Sequence, residues 1–171
     1  MSTSQLTSKE YFRMLNILFY ALIAGQVIFA LVIVYLKLTG VSLNNFPEYK
    51  QTLLYAFPFI VLAGIYASQA VYKSKLVPIK AKTDLREKMS DFRTACIIRW
   101  ALLEVPGSLS LIICFLTGDL LFIAVAAIVI GYFLMIRPSI EKTIIDLELD
   151  FEDQTKINNP DEIIAEITTA Q

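Results

Sequence analysis

The sequence predicts an all-α integral membrane protein: a four-helix bundle, N-in and C-in, with a short acidic cytoplasmic tail. Three observations predict this fold class. Of the 171 residues, 56% are hydrophobic and 18% are charged, against about 45–50% and about 25% in soluble domains. The apolar residues come in four long runs rather than in alternation. The lysines and arginines cluster in one loop, residues 73–93, which gives the bundle a direction.

Four apolar runs predict the membrane spans, because each is close to the ~20 residues that cross a hydrocarbon core. They cover residues 14–36, 52–72, 95–116 and 120–136. The first run is longer than the roughly 7–15 residues of a signal-peptide core, and no clear cleavage site follows it. We therefore expect the first run to be retained as a span.

Basic residues predict the orientation of the spans. Loop 73–93 holds seven lysines and arginines, whereas loop 37–51 has only Lys37 and Lys50, both at its ends. Because short loops rich in lysine and arginine stay in the cytoplasm, loop 73–93 is predicted to be cytoplasmic, and both termini follow. The expected location is the cytoplasmic (inner) membrane, with several passes.

The two halves of the apolar region are similar to each other. When residues 11–36 are laid over residues 91–116, 8 of 26 positions are identical, and a Thr-Gly pair follows each segment. This pattern favours a 2+2 tandem repeat of a helical hairpin, with both halves starting on the cytoplasmic side. Two unrelated apolar helices also match fairly often by chance, so both explanations stay open.

Enzyme chemistry has little support in this composition. Histidine is absent, which removes the commonest general base and metal ligand. Cys96 and Cys114 lie on one predicted helix, roughly 27 Å apart, so they cannot form a disulfide with each other. No phosphate-binding, dinucleotide-binding or nucleophile-elbow motif occurs. We predict a non-enzymatic protein with no catalytic residue, no metal, no cofactor and no nucleic-acid partner.

The third span carries an arginine, a glutamate and a proline. Arg99 is next to Trp100, whose indole prefers the membrane boundary, so its guanidinium is expected to reach the headgroups. Glu104 lies roughly 6 Å deeper, so its carboxyl group must be protonated, paired or exposed to a polar crevice. Pro106 leaves the carbonyl of Leu102 without a helical donor.

Glu104 therefore has two interpretations. In the first it is a buried hydrogen-bonding residue that holds the bundle together, with Asn16, Arg13 and Gln69 as expected partners. In the second it binds and releases a proton or an ion. The candidate intramembrane protonation or packing site consists of Glu104, Arg99, Pro106, Asn16 and Gln69.

Residues 91–109, DFRTACIIRWALLEVPGSL, resemble the carboxylate-bearing helix of the proteolipid c subunits of rotary ATPases. In that family a motif A-L-x-E or G-L-x-D follows a basic cytoplasmic loop, and Ala101, Leu102 and Glu104 match it. The resemblance implies an ion-carrying carboxylate at Glu104. The partner helix of that family is rich in glycine, whereas the second span has Gly64 alone, so a c-ring is not implied. As a whole the chain is similar to small four-helix bacterial inner-membrane proteins that carry no assigned activity.

The cytoplasmic parts have contrasting charge. After Thr83, a candidate N-cap, apolar residues recur at helical spacing, which predicts an amphipathic helix that turns into the third span; a plain basic loop is the alternative. Between Glu141 and Glu166, nine acids stand against two lysines. Residues 145–152 fit a strand or a helix equally well, and Asn159 predicts the start of a short helix. A mostly solvated tail is the default, and docking on the basic loop is the alternative.

We predict a transmembrane domain over residues 1–138 and an acidic tail over residues 139–171. The leading hypothesis is a scaffold or accessory subunit that acts through residues 73–93 and 137–171. Its expected partners are the lipid bilayer and either a second copy of the chain or another protein. The alternative is a small proton- or ion-coupled carrier or channel subunit that uses Glu104.

Overall fold

The structure, a computed structural model, describes residues 2–41 and 50–169. In that part of the chain, six helices follow one another between two terminal strands. The elements are β1 Ser2–Thr7, α1 Ser8–Leu38, α2 Lys50–Lys80, α3 Leu85–Thr117, α4 Leu121–Met135, α5 Ile140–Leu147, α6 Phe151–Asn158 and β2 Ile163–Thr169. The predicted all-α class is confirmed, with one antiparallel pairing of β1 and β2 added to it.

Three helices are long and apolar enough to cross a membrane: α1 and α2 with 31 residues each and α3 with 33. Helix α4 has 15 residues and is long enough to cross a membrane only if it is counted with α5 as one bent span. In the most apolar stretches, 22% of the residues of α1 and 17% of those of α2 are buried inside the protein, against 50% for α3. Apolar faces of this extent need a nonaqueous solvent, so the chain is a multi-pass membrane protein.

The chain divides into two compact units. The first, called the polar unit below, contains Met1–Phe19, Ala70–Arg99 and Arg137–Gln171. The second, called the apolar unit, contains Tyr20–Gln69 and Trp100–Ile136. Helices α1, α2 and α3 each contribute to both units, so the long helices extend beyond the apolar runs of the sequence.

The core of the apolar unit joins all four of its helices through large side chains. Phe57 of α2 and Phe122 of α4 pack edge to face, with ring centroids 5.7 Å apart. Helix α3 ends at Thr117 and is followed by Gly118, whose φ of 68° is the left-handed conformation that glycine adopts just after helix ends. Lys37 donates to the Gly118 carbonyl at 2.8 Å, which places a cation at the negative end of α3.

The polar unit has its own buried core. The apolar stripe predicted after Thr83 is confirmed, because α3 begins at Leu85 and the stripe residues are buried: Leu85, Met89, Phe92 and Cys96. The helix cap differs from the prediction, since Asp84 rather than Thr83 accepts a hydrogen bond from the Arg86 amide, at 3.3 Å.

The C-terminal segment corrects two expectations. The helix expected after Asn159 is wrong, because residues 163–169 form β2, which pairs with β1 from Ser2↔Thr169 to Thr7↔Ile163. The run of isoleucines and threonines suits a strand, and its partner lies at the other end of the chain, beyond the reach of any local pattern. The mostly solvated tail is also wrong, since Thr143, Leu147 and Ile157 are fully buried.

Candidate functional site

The acidic tail and the basic region around α2 and α3 pair with each other inside the polar unit. Three ion pairs, at 2.7, 2.8 and 3.3 Å, join them: Lys80–Glu148, Arg86–Glu166 and Lys88–Asp153. The docking of the tail on the basic loop, which was the alternative to a solvated tail, is what the structure shows. Three of the seven basic residues of loop 73–93 are thus paired with carboxylates of the tail within one unit.

The pair between Lys88 and Asp153 is the buried one. Its side chains are 10% and 9% exposed, whereas the partners in the other two pairs are at least one-third exposed. Asp153 is placed by the first turn of α6, where its amide donates to the Asp150 side chain at 2.8 Å. A buried pair of this kind fixes the position of α6 because either charge alone would be left without compensation.

The turn between α2 and α3 has a further ion-pair cluster. Lys82 Nζ lies 2.9 Å from Asp91 Oδ2 and 3.2 Å from Glu87 Oε2. The hydrogen bonds to Asp91 and then to Glu87 raise the pKa of Lys82 above its usual value. The turn is therefore held by contacts to α3, with its lysine kept charged.

Arg99 belongs to the polar unit and stacks on an aromatic ring. Its guanidinium carbon lies 4.2 Å from the centroid of the Tyr72 ring. The Tyr72 hydroxyl donates to Asp146 Oδ2 at 2.6 Å, so α2, α3 and α5 meet at this point. The Nε atom of Arg99 is buried without a hydrogen-bond partner. This arrangement anchors α5 to α2.

The two expected amide partners of Glu104 bond elsewhere. Asn16 lies in the polar unit, where Arg137 Nε donates to its Oδ1 at 3.2 Å and its Nδ2 donates to the Phe12 carbonyl at 2.8 Å. Gln69 donates to the Tyr132 hydroxyl of α4. Each of the two amides is thus engaged with a residue other than Glu104.

Glu104 itself lies on α3, half-buried, and makes no hydrogen bond or ion pair to another residue that the structure describes. Two residues further along, Pro106 continues the helix and packs against Gly64 of α2. A Cβ atom at Gly64 would lie 2.9 Å from Pro106 Cγ, so only glycine permits this contact without a shift. Helices α2 and α3 thus approach each other closely at Pro106, the residue at which the helical hydrogen bonding of α3 is interrupted.

Gln26 of α1 is a site residue that the sequence reasoning missed. Its side chain is 3% exposed, and both of its amide atoms are buried without a hydrogen-bond partner. The amide lies against Gly107, where a Cβ atom would come within 2.6 Å of Gln26 Oε1. The available signal was a lone amide in the middle of the first apolar run. Tyr72, Lys88, Asp146 and Asp153 were missed as well, because their contacts join distant segments.

No group of three or more histidine, cysteine, aspartate or glutamate side chains able to hold a metal ion occurs among residues 2–41 and 50–169. The chain matches no protein-family model, no curated protein and no solved structure.

Proposed function

We propose that this chain is a non-enzymatic protein of the bacterial cytoplasmic membrane, with four spans and both termini inside, that serves as a scaffold or accessory subunit. The observation that carries the proposal is the folding of the basic loop and the acidic tail into one unit, which contains the buried Lys88–Asp153 pair. A carrier does not need such a unit, whereas a docking protein needs a preorganised surface, because binding then costs less ordering entropy.

The α5–α6 corner, residues 141–152, is the surface that we assign to docking. Ile145 is 72% exposed and Phe151 is 85% exposed, although both are large and apolar. They lie among exposed carboxylates, including Glu141 and Glu152. Carboxylates disfavour contact with an anionic lipid surface and favour a cationic partner. We therefore commit to one occupant, a basic protein segment with apolar anchors.

A photo-crosslinking residue at position 151 of the full-length chain, in native membranes, tests this proposal. We expect a discrete protein adduct that weakens at ~1 M salt, where the Debye length falls to about 3 Å. The same adduct should be lost in Glu141→Lys, which reverses one exposed charge. Val77 is the matched control, since it is 70% exposed in the same unit but has lysines as neighbours in sequence.

The outcomes separate the possible occupants. Adducts with lipid alone, or the same protein adduct from positions 151 and 77, would remove the docking surface. An adduct with a second copy of the chain would make the corner a contact between copies. A protein adduct that ignores both salt and Glu141→Lys would contradict the assignment to a basic segment.

A second candidate is a small proton- or ion-coupled carrier or channel subunit that uses Glu104. The observation that favours it is the half-buried carboxyl group, without a hydrogen bond or an ion pair to any residue that the structure describes. Ionisable residues inside a membrane span are costly, so an unpaired one is a functional candidate by default. Its test is carboxyl infrared difference spectroscopy of the reconstituted protein across about pH 5–9, with Glu104→Gln as the control.

A further inference from the structure

The burial of the Gln26 amide is not explained by the residues around it. Its amide has two donor hydrogens and one acceptor oxygen, all removed from solvent, and none of them has a partner among the residues that the structure describes. Buried polar groups in proteins are nearly always hydrogen-bonded, and each exception calls for an explanation. In a helix that is otherwise apolar at this depth, leucine would fit without that cost.

The Gln26 amide lies against the backbone of α3. A Cβ atom on Gly107 would be 2.6 Å from Gln26 Oε1 and 3.0 Å from Gln26 Nε2, so glycine at this position makes room for the amide. Glu104 comes three residues before Gly107 on the same helix. Residues with this spacing are surface neighbours, with Cβ positions roughly 5–6 Å apart. Glu104 therefore lies on α3 about one turn from the point that the Gln26 amide contacts.

Glu104 forms no ion pair with any side chain that the structure describes in the apolar unit. The other charged side chains that the structure describes there are Lys37 and Asp119, and both act at the α3–α4 turn. Lys37 donates to the Gly118 carbonyl at 2.8 Å, and Asp119 accepts from the Leu121 amide at 3.0 Å. The Tyr132 hydroxyl is occupied by Gln69. A carboxylate in apolar surroundings without a cation is neutralised most readily by taking up a proton.

A protonated carboxyl group and a primary amide are complementary. The carboxyl group offers one O–H donor and one carbonyl acceptor, and the amide offers one carbonyl acceptor and an N–H donor. The carbonyl of Leu102, which Pro106 leaves without its helical donor, adds an acceptor on the same helix. Among the described residues of the apolar unit, Gln26 is thus a matching partner for the neutral acid, whereas the described cation, Lys37, is engaged at Gly118.

We propose that Gln26 and Glu104 form one proton-binding site in the apolar unit. A proton from water is taken up by one Glu104 oxygen, and the net charge of the site changes from −1 to 0. The resulting O–H donates to Gln26 Oε1, and Gln26 Nε2 donates to the second carboxyl oxygen. The proposal rests on the second candidate function, because it names the partner residue that such a site uses.

Infrared difference spectroscopy on the full chain in vesicles tests the pairing. The carboxyl band that disappears in Glu104→Gln is identified first, and its position is then compared in Gln26→Met and Gln69→Met. Methionine has nearly the volume of glutamine without the amide. We expect the band to move to higher wavenumber in Gln26→Met, because a hydrogen bond to the carboxyl group is lost. Gln69→Met is the matched control, since Gln69 is bonded to Tyr132, and it should leave the band in place.

A second measurement does not depend on any change at position 26. In wild-type chain labelled with ¹³C at the glutamine side-chain carbonyl, a labelled amide band should appear in the same pH-induced difference spectrum and vanish in Glu104→Gln. This result supports the pairing even if Gln26→Met folds poorly.

The two proposals fail in different ways. If no carboxyl band that depends on Glu104 titrates, ion coupling itself is refuted. If the band titrates but stays in place in Gln26→Met, and no labelled amide band accompanies it, only the pairing with Gln26 is refuted. Equal band shifts in Gln26→Met and Gln69→Met would also refute the pairing, because they would report a general loosening of the bundle.

Discussion

Replacing Asp153 by asparagine tests whether the buried ion pair holds the polar unit together. The change leaves the Lys88 ammonium 90% buried without a counter-charge. Removing one partner of a buried pair typically costs about 3–5 kcal/mol. The 3.3 Å separation of Nζ and Oδ2 is longer than an ideal charged contact, so we expect the lower end, about 3 kcal/mol.

Hydrogen exchange on the full chain in nanodiscs measures this cost. A loss of about 3 kcal/mol corresponds to roughly 100-fold faster exchange of slowly exchanging amides in α6, provided that exchange follows reversible opening. The double variant Lys88→Met, Asp153→Leu should recover most of the loss, because apolar replacement of both partners of a buried pair is often neutral. Glu152→Gln is the matched control, since it breaks an exposed pair with Lys156 on the same helix.

Two results would refute the reasoning. If Asp153→Asn lowered the free energy of unfolding by less than about 1 kcal/mol, the buried pair would contribute no more than an exposed ion pair does. A double variant as unstable as the single one would mean that the lost stability comes from packing or from the start of α6 rather than from an uncompensated charge.

Two further predictions concern contacts within one unit each. Gly64→Val should lower the free energy of unfolding by about 1–3 kcal/mol, because its Cβ would lie 2.9 Å from Pro106 Cγ. Gly131→Val is the control and should change this free energy little, because nothing lies within 4 Å of a Cβ at that position. Equal effects of the two variants in thermal unfolding would contradict this explanation. Tyr72→Phe should cost about 1–3 kcal/mol by removing the 2.6 Å hydrogen bond to Asp146, and unchanged exchange protection of the α5 amides would show that this bond does not hold α5 in place.

The candidate site was only partly predictable. The sequence singled out Glu104 because an acid in a long apolar run is costly wherever the run folds. It did not find Gln26, since a single amide in a membrane helix acquires significance only from what lies against it. Gln69 was expected near Glu104 from its depth alone, but its partner is Tyr132. Depth along a span can be counted in residues, whereas the direction of a side chain around the bundle depends on packing.

The sequence by itself determined the all-α class and the apolar stretches of its long helices. In lipid, every backbone group must be bonded within its own segment, so a run of apolar residues specifies a helix with little dependence on the rest of the chain. The amphipathic start of α3 was equally local, because its period is contained in a dozen residues.

How the two termini fold, and which charges pair with each other, depend on the tertiary structure. Strand β2 could be recognised as a strand only together with β1, whose paired residues lie more than 150 positions away, from Ser2↔Thr169 to Thr7↔Ile163. The acidic tail looked solvated because its carboxylates lacked local partners, and those partners came from α2 and α3. The pairing of distant segments depends on which surfaces the fold brings together. Local patterns in the sequence do not show which surfaces these are.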